Sequence, residues 1–401
     1  MKAAAEDVDI LIAGGGIAGM AAAAAFGGLG LRTLCVDPEP PVTQREAPGA
    51  DLRTTAFLQP AQAFLDRIGL WDRLAPHASP LRVMRIVDAG GETPEARTIR
   101  DFDAAEIGDR PFGWNLPNWL LRREFAAALA ELPGVEHRTG VAATGLLARS
   151  TEARVRLSDG GQIRSLLAIA ADGRHSTLRR AAGITVSTTR YAQKALAFAV
   201  THPLPHDNVS TEVHRSGGPF TLVPLPDRDG LPCSAVVWME HGPEAERLLA
   251  LDRERFSAAA TERSGGVQGP LTLTGGRTIW PIISQMARAL TAERLALVAE
   301  AAHVVPPIGA QGLNMSLGDI RCLVDLAAAA PDPGAPEVLA AYGRARAPEV
   351  MARVAGIDLL NRASMLAPRP LRDLRRAGLA ALHGAAPVRR GLMRLGLGAR
   401  D

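Results

Sequence analysis

From Ile10 to Leu31 the chain runs for 22 residues without a charged side chain, nominally enough to span a bilayer. Its interior argues against that use. Seven of the 22 are glycine, three of them consecutive, and the preceding flank carries Glu6, Asp7 and Asp9 rather than the basic residues of a signal peptide. The run reads instead as a buried strand from Val8 to Ala13, a glycine turn, a helix around Met20 to Phe26 and a second strand from Thr33 to Val36 ending in Asp37. This is a βαβ unit.

Gly14, Gly16 and Gly19 make G-x-G-x-x-G at the strand-to-helix junction. The first makes the tight turn, the second lets backbone approach a pyrophosphate, and the third lets helix and strand pack closely. With Ile17 and Ala18, the helix start offers free N–H groups and a positive dipole end to phosphates. Asp37, 23 residues after Gly14, is placed to accept hydrogen bonds from an adenosine ribose. An acid there disfavours a 2′-phosphate, so the cleft suits FAD or NAD better than NADP. The competing reading is a structural glycine turn.

A chain of 401 residues with 47% apolar and 22% charged residues can bury a sizeable core. The net charge of +3 supplies no field for nucleic acid. It is unevenly spread: Arg362 to Asp401 holds nine Arg and two Asp, so a +7 tail follows a body of −4. Cys35, Cys233 and Cys322 lie far apart, without metal or disulfide spacing, which fits a reducing compartment and no metal site.

Two more segments carry chemistry. Ala170 to Arg179 is a buried strand ending in Asp172-Gly173, which delivers a carboxylate to the carboxyl end of a sheet. Its bland alternative is a turn that Asp172 caps while Arg179 is solvated. Leu295 to Asn314 delivers Glu300, then a loop stiffened by Pro306-Pro307, then a helix start at Gly312, Leu313 and Asn314. His303 reads as a loop histidine bonded to backbone rather than a catalytic base.

Asp51 to Leu74 reads as a loop entering a helix, and Leu120 to Leu132 as a helix stopped by Pro133-Gly134. Val155 to Ile163 is a hairpin around Ser158 to Gly161, and Leu166 to Ala171 a further buried strand. Between Thr185 and Trp280 short Val-, Thr- and Pro-rich segments predict a separate antiparallel sheet. The expected fold class is α/β: a Rossmann-like domain of the glutathione-reductase type interrupted by a mainly antiparallel sheet, with a helical tail. The boundaries expected are 1–75, 105–184 and 291–330 for the first, 76–104 and 185–290 for the second, and 331–401 for the tail.

These motifs, with Asp51 to Ala56, Asn115 to Arg123 and Leu339 to Arg346, resemble the ubiquinone-biosynthesis hydroxylases. These are FAD-dependent aromatic monooxygenases related to para-hydroxybenzoate hydroxylase. The resemblance covers nearly the whole chain. It implies that Gly14, Gly16, Gly19 and Asp37 hold the ADP half of FAD, and that Arg53 and one of Arg122 or Arg123 reach its pyrophosphate and ribityl side. Asp172 and Gly173 match a motif associated with FAD and NAD(P)H, Glu300 the acid for the ribityl chain, and Pro307, Gly312, Leu313 and Asn314 the loop beside the flavin ring. Two positions depart from the family, Ala299 and Ala310, where glycine is usual. If either needs a positive φ, alanine costs about 1–2 kcal/mol.

The activity so implied is hydroxylation of a lipophilic polyprenylated phenol, using O₂ through a flavin C4a-hydroperoxide, with electrons from NAD(P)H or a protein donor. No nucleophilic side chain is needed, because the cofactor carries the chemistry. The resemblance also allows a flavin reductase of polyprenyl double bonds, or a non-catalytic subunit that binds other quinone-biosynthesis proteins. A halogenase is disfavoured, since no W-x-W-x-I-P segment occurs and the lysines are Lys2 and Lys194. The Arg-rich segment Leu371 to Leu397 suits anionic lipid, which implies a cytoplasmic protein peripheral on the membrane. A solvated helix or partner-docking surface is the alternative.

Overall fold

The computed structural model describes residues 6–91, 96–215, 217–365, 378 and 382–398. The opening run folds as strand β1 (Glu6–Ala13), helix α1 (Ile17–Gly28) and strand β2 (Thr33–Asp37). Ile10 to Ala13 and nearly all of α1 are buried, so this uncharged stretch is the centre of the core. Leu295–Leu297, Gln162–Ala170, β1, β2 and Val135–Thr139 lie side by side, all parallel. Parallel strands buried on both faces need unbroken apolar runs, which is why no alternation marks them.

A second sheet of nine strands is mainly antiparallel. Its middle is Val186–Thr201, Leu231–His241, Pro219–Arg228 and Val209–His214, extended by Val83–Asp88 and Thr98–Asp103. Two helices absent from the sequence reading, Gly242–Leu249 and Arg253–Arg263, cover its far face through Leu248, Phe256 and Ala260.

Several expectations shift. Asp51 to Leu74 contains a strand, Thr54–Leu58, before its helix Gln59–Arg67. That strand pairs with Gly113–Pro117, which also pairs Ser79–Leu81, giving a small third sheet between the two large ones. Gln162 to Ala170 is one continuous strand rather than two. The tail contributes helices Pro336–Ser364 and Ala386–Leu397; Arg372, Asp373, Arg375 and Arg376 lie outside the described residues.

Candidate functional site

A single cavity of about 750 Å³ runs from the glycine turn after β1 to the face of the nine-stranded sheet. Gly14, Gly16, Ile17, Ala18, Gly19, Asp37, Arg53, Arg122, Asp172, Gly173, Glu300, Pro307, Gly312 and Leu313 all border it. Loops at the carboxyl ends of the parallel strands build its nucleotide side, where ligands bind in open α/β sheets.

The glycines divide the labour. Gly14 has φ +105°, and a Cβ there would sit 2.3 Å from the Ala171 carbonyl oxygen. A Cβ on Gly19 would lie 1.8 Å from the Gly14 oxygen, so helix and turn touch through backbone alone. At Gly16 no protein atom comes within 4 Å of such a Cβ. The space beside the second glycine is therefore open, as a cradle for phosphates requires. Helix α1 begins there with neither a side-chain cap nor an acid in its first turn.

Asp37 does two jobs. Its Oδ2 accepts the Gly15 N–H at 2.6 Å and its Oδ1 that of Glu39 at 2.9 Å, so an acid that borders the cavity also holds the turn. Behind it stands His137, missed by sequence reading, whose titration burial shifts downward although Asp37 opposes the shift. A Cβ on Gly15 would meet its Nε2 at 2.6 Å.

Asp172 braces the turn that follows it and also borders the cavity. Its Oδ2 accepts the N–H groups of Thr177 and Leu178 at 2.7 and 3.3 Å, while Oδ1 is buried without a partner. Arg179 is not solvated: it is 4% exposed and donates to the Ala301 carbonyl at 2.8 Å and the Arg174 carbonyl at 2.8 Å. The guanidinium thus ties the Asp-Gly turn to the segment carrying Glu300.

Arg53 donates to both Asp51 oxygens, at 2.8 and 2.7 Å, and lies over the Trp280 ring 5.5 Å from its centroid. Burial alone would raise the Asp51 carboxyl, but Arg53 and Asn118 hold it below the usual carboxylate range. Arg122 borders the cavity; Arg123 does not, because it bonds Glu124 and lies over Trp119. Of the two, Arg122 is the one placed at the cavity.

The loop after Glu300 departs from expectation twice. Asn314 does not border the large cavity: its Oδ1 accepts the Leu58 N–H, and its Nδ2 donates to the carbonyls of Ala56 and Ala310. It braces the loop against Thr54–Leu58. His303 is bonded to a carboxylate rather than to backbone. Its Nε2 lies 2.6 Å from Asp319, whose other oxygen accepts the Arg346 Nε–H at 2.9 Å, and all three are buried.

Ala299 and Ala310 both adopt φ 55°, the left-handed region where a Cβ is strained. Ala299→Gly and Ala310→Gly should each stabilise the protein by about 0.5–1 kcal/mol, the relieved strain less glycine's extra freedom in the unfolded chain. Thermal melts of the single variants check this, and a fall in melting temperature at either position would refute it.

The glycine cradle, the unpartnered Asp172 oxygen and a second uncapped helix start at Gln311 fit a bound dinucleotide. Fold and cavity together define a flavoprotein of the aromatic-monooxygenase class. Residues 7–357 match the FAD binding domain family. The ubiquinone hydroxylase UbiL of Rhodospirillum rubrum is 34% identical over 97% of this chain and 89% of its own length. The 3-demethoxyubiquinol 3-hydroxylase of Escherichia coli is 26% identical over 98% of this chain and 99% of its own. Among solved structures, p-nitrophenol 4-monooxygenase PnpA from Pseudomonas putida superposes with a TM-score of 0.81 at 21% identity, covering 99% and 100% of the two chains. The chain belongs to the FAD-dependent hydroxylases of ubiquinone biosynthesis.

Proposed function

We propose that the protein hydroxylates the aromatic ring of a polyprenylated phenol, a ubiquinone precursor, with O₂ and a reductant such as NAD(P)H. The observation that carries this is the continuity of one cavity between the glycine turn and an apolar sheet face that includes Met84, Val223 and Val237. FAD, when bound, supplies the oxygen activation and redox chemistry. Gly14, Gly16, Gly19 and Asp37 would hold its ADP half, Arg53 and Arg122 its pyrophosphate side, and Glu300 its ribityl chain.

The rest of the work is the chain's own. Gly312 and Leu313 lie in the first turn of an uncapped helix that borders the cavity, so their N–H groups would favour negative charge on a flavin ring held there. Trp280, Ile282 and Ile283 line the cavity with apolar surface, which excludes water from the reacting ring. Tests are direct. The purified protein should bind FAD, and its deletion should accumulate a precursor that it converts to a product heavier by one oxygen; a gain of two hydrogens would indicate a double-bond reductase instead.

We also propose that the last helix meets an anionic membrane. Ala386–Leu397 buries Met393 and Leu397 beside Phe102 and Phe112, and Phe112 borders the cavity. Its outer face leaves Val388, Leu392 and Leu395 exposed; Arg390 and Arg394 are exposed at its flank, Arg390 3.9 Å from Glu106. Arg389 is committed inward to Glu106 at 2.6 Å. Among the described residues no helix is long and apolar enough to cross a membrane. Arg390→Gln with Arg394→Gln should weaken binding to phosphatidylglycerol vesicles about 30-fold, read by flotation, from about 1 kcal/mol for each of the two charges near an anionic surface; unchanged flotation would overturn the assignment.

A further inference from the structure

The cavity has two chemically distinct sides. Its carboxylates Asp37, Asp51, Asp172 and Glu300 all come from the nucleotide-binding elements. The face of the nine-stranded sheet is mostly apolar, yet it places one carboxylate among its Met and Val residues: Glu212, on strand Val209–His214. Among the described residues it is the only acid on that side of the cavity. Its register partner Thr221 and its strand neighbour Ser210 also line the cavity, so three oxygen-bearing side chains share one patch of the sheet.

Glu212 is not bonded to a cation that would neutralise it permanently. Its Oε1 lies 2.7 Å from His214 Nε2, and the two side chains are 17% and 14% exposed. Residues 212 and 214 point to the same side of the strand, as period two requires. The far ring nitrogen of His214, Nδ1, is buried without a partner. His214 is in turn the register partner of Asp88, which bonds Arg97 at 2.6 Å. A carboxylate at the cavity is thereby backed by an imidazole.

We infer that Glu212, held by His214, accepts the proton of the substrate's ring hydroxyl during hydroxylation. The inference rests on the phenol reading above. An electrophilic oxygen atom is taken up faster by a ring whose hydroxyl has given up its proton, because the oxygen's electron pair then feeds the ring. The O–H bond breaks, the proton moves to the Glu212 carboxylate, and the electron pair released into the ring drives the new C–O bond at the attacked carbon as the O–O bond of the activated oxygen breaks; that bond's pair stays on the departing oxygen, which takes up the proton the ring carbon then releases. That carbon loses its hydrogen as a proton to restore aromaticity, and Glu212 returns its own proton to the first oxygen. The oxygen atom and the reducing electrons are those of the hydroxylation itself, so nothing further is consumed.

The test is single-turnover product formation, mixing chemically reduced, FAD-loaded enzyme with oxygenated buffer and a short-chain prenylated phenol. Glu212→Gln should slow ring oxygenation about 100-fold, within the range for loss of a positioned general base. It should leave FAD affinity and the visible flavin spectrum unchanged. A ring-fluorinated phenol, whose hydroxyl is more acidic, should recover most of the loss in Glu212→Gln while barely changing wild type. Equal losses on both phenols would assign Glu212 a purely structural role, and an undiminished rate would remove it from the reaction; either overturns the inference while the phenol reading stands. Absence of product from wild type would instead overturn that reading, and this inference with it.

Discussion

Gly19→Ala is expected to lose both stability and FAD binding, whereas Gly16→Ala is expected to keep the first and lose the second. The two substitutions add the same methyl group three residues apart. At Gly19 it would stand 1.8 Å from the Gly14 carbonyl oxygen, a backbone atom that no rotamer change can move. Separating helix α1 from the turn costs about 3 kcal/mol, at the upper end of overpacking penalties. At Gly16 the backbone is extended, φ −68° and ψ 175°, and a Cβ meets nothing within 4 Å. Its only conflict is with a ligand. Thermal melts of the ligand-free variants, paired with FAD titrations, separate the outcomes; full FAD affinity in Gly16→Ala would place the pyrophosphate elsewhere.

Asp319→Ala should destabilise the protein by about 3–5 kcal/mol, the scale for removing one member of a buried charged network. Asp319 is fully buried and joins His303 to Arg346, which also bonds Glu349. Burial by itself would raise its carboxyl, but His303 and Arg346 overcome that and hold it below the usual range. A carboxyl lowered in the folded state contributes fully above its unfolded value of about 4 and loses that contribution as pH falls through its folded value. Wild type should therefore lose stability below about pH 4, and Asp319→Asn should show a flatter profile there. Denaturant melts from pH 6 to pH 2.5 check this. Parallel profiles for the two proteins would show that Asp319 does not carry the acid sensitivity.

What could be read from sequence follows what local chemistry determines. β1, the glycine turn and Asp37 were legible because a tight turn, a helix start and a terminal acid must occur within one short stretch. The positive φ at Ala299 and Ala310 was only a conditional, since backbone conformation at alanine leaves no mark in composition. Strand Thr54–Leu58 was hidden because its partners, Gly113–Pro117 and Ser79–Leu81, are remote in sequence. The same distance hid the His303–Asp319–Arg346 network, and it made Arg123 and Asn314 look like cavity residues when local pairing and bracing use them up. Glu212 carried one faint signal, an acid and a histidine two apart in a Val/Thr-rich strand.

Three residues after Glu300, His303–Val304 pairs with Gln285–Met286 as an edge of the nine-stranded sheet. A recombination library that swaps 185–290 between relatives would cut through that pairing and leave the grafted sheet against a foreign border strand. Exchanges that carry residues 303 and 304 with the donor sheet keep the seam intact, so the sheet can be transplanted only together with part of the loop that borders the cavity.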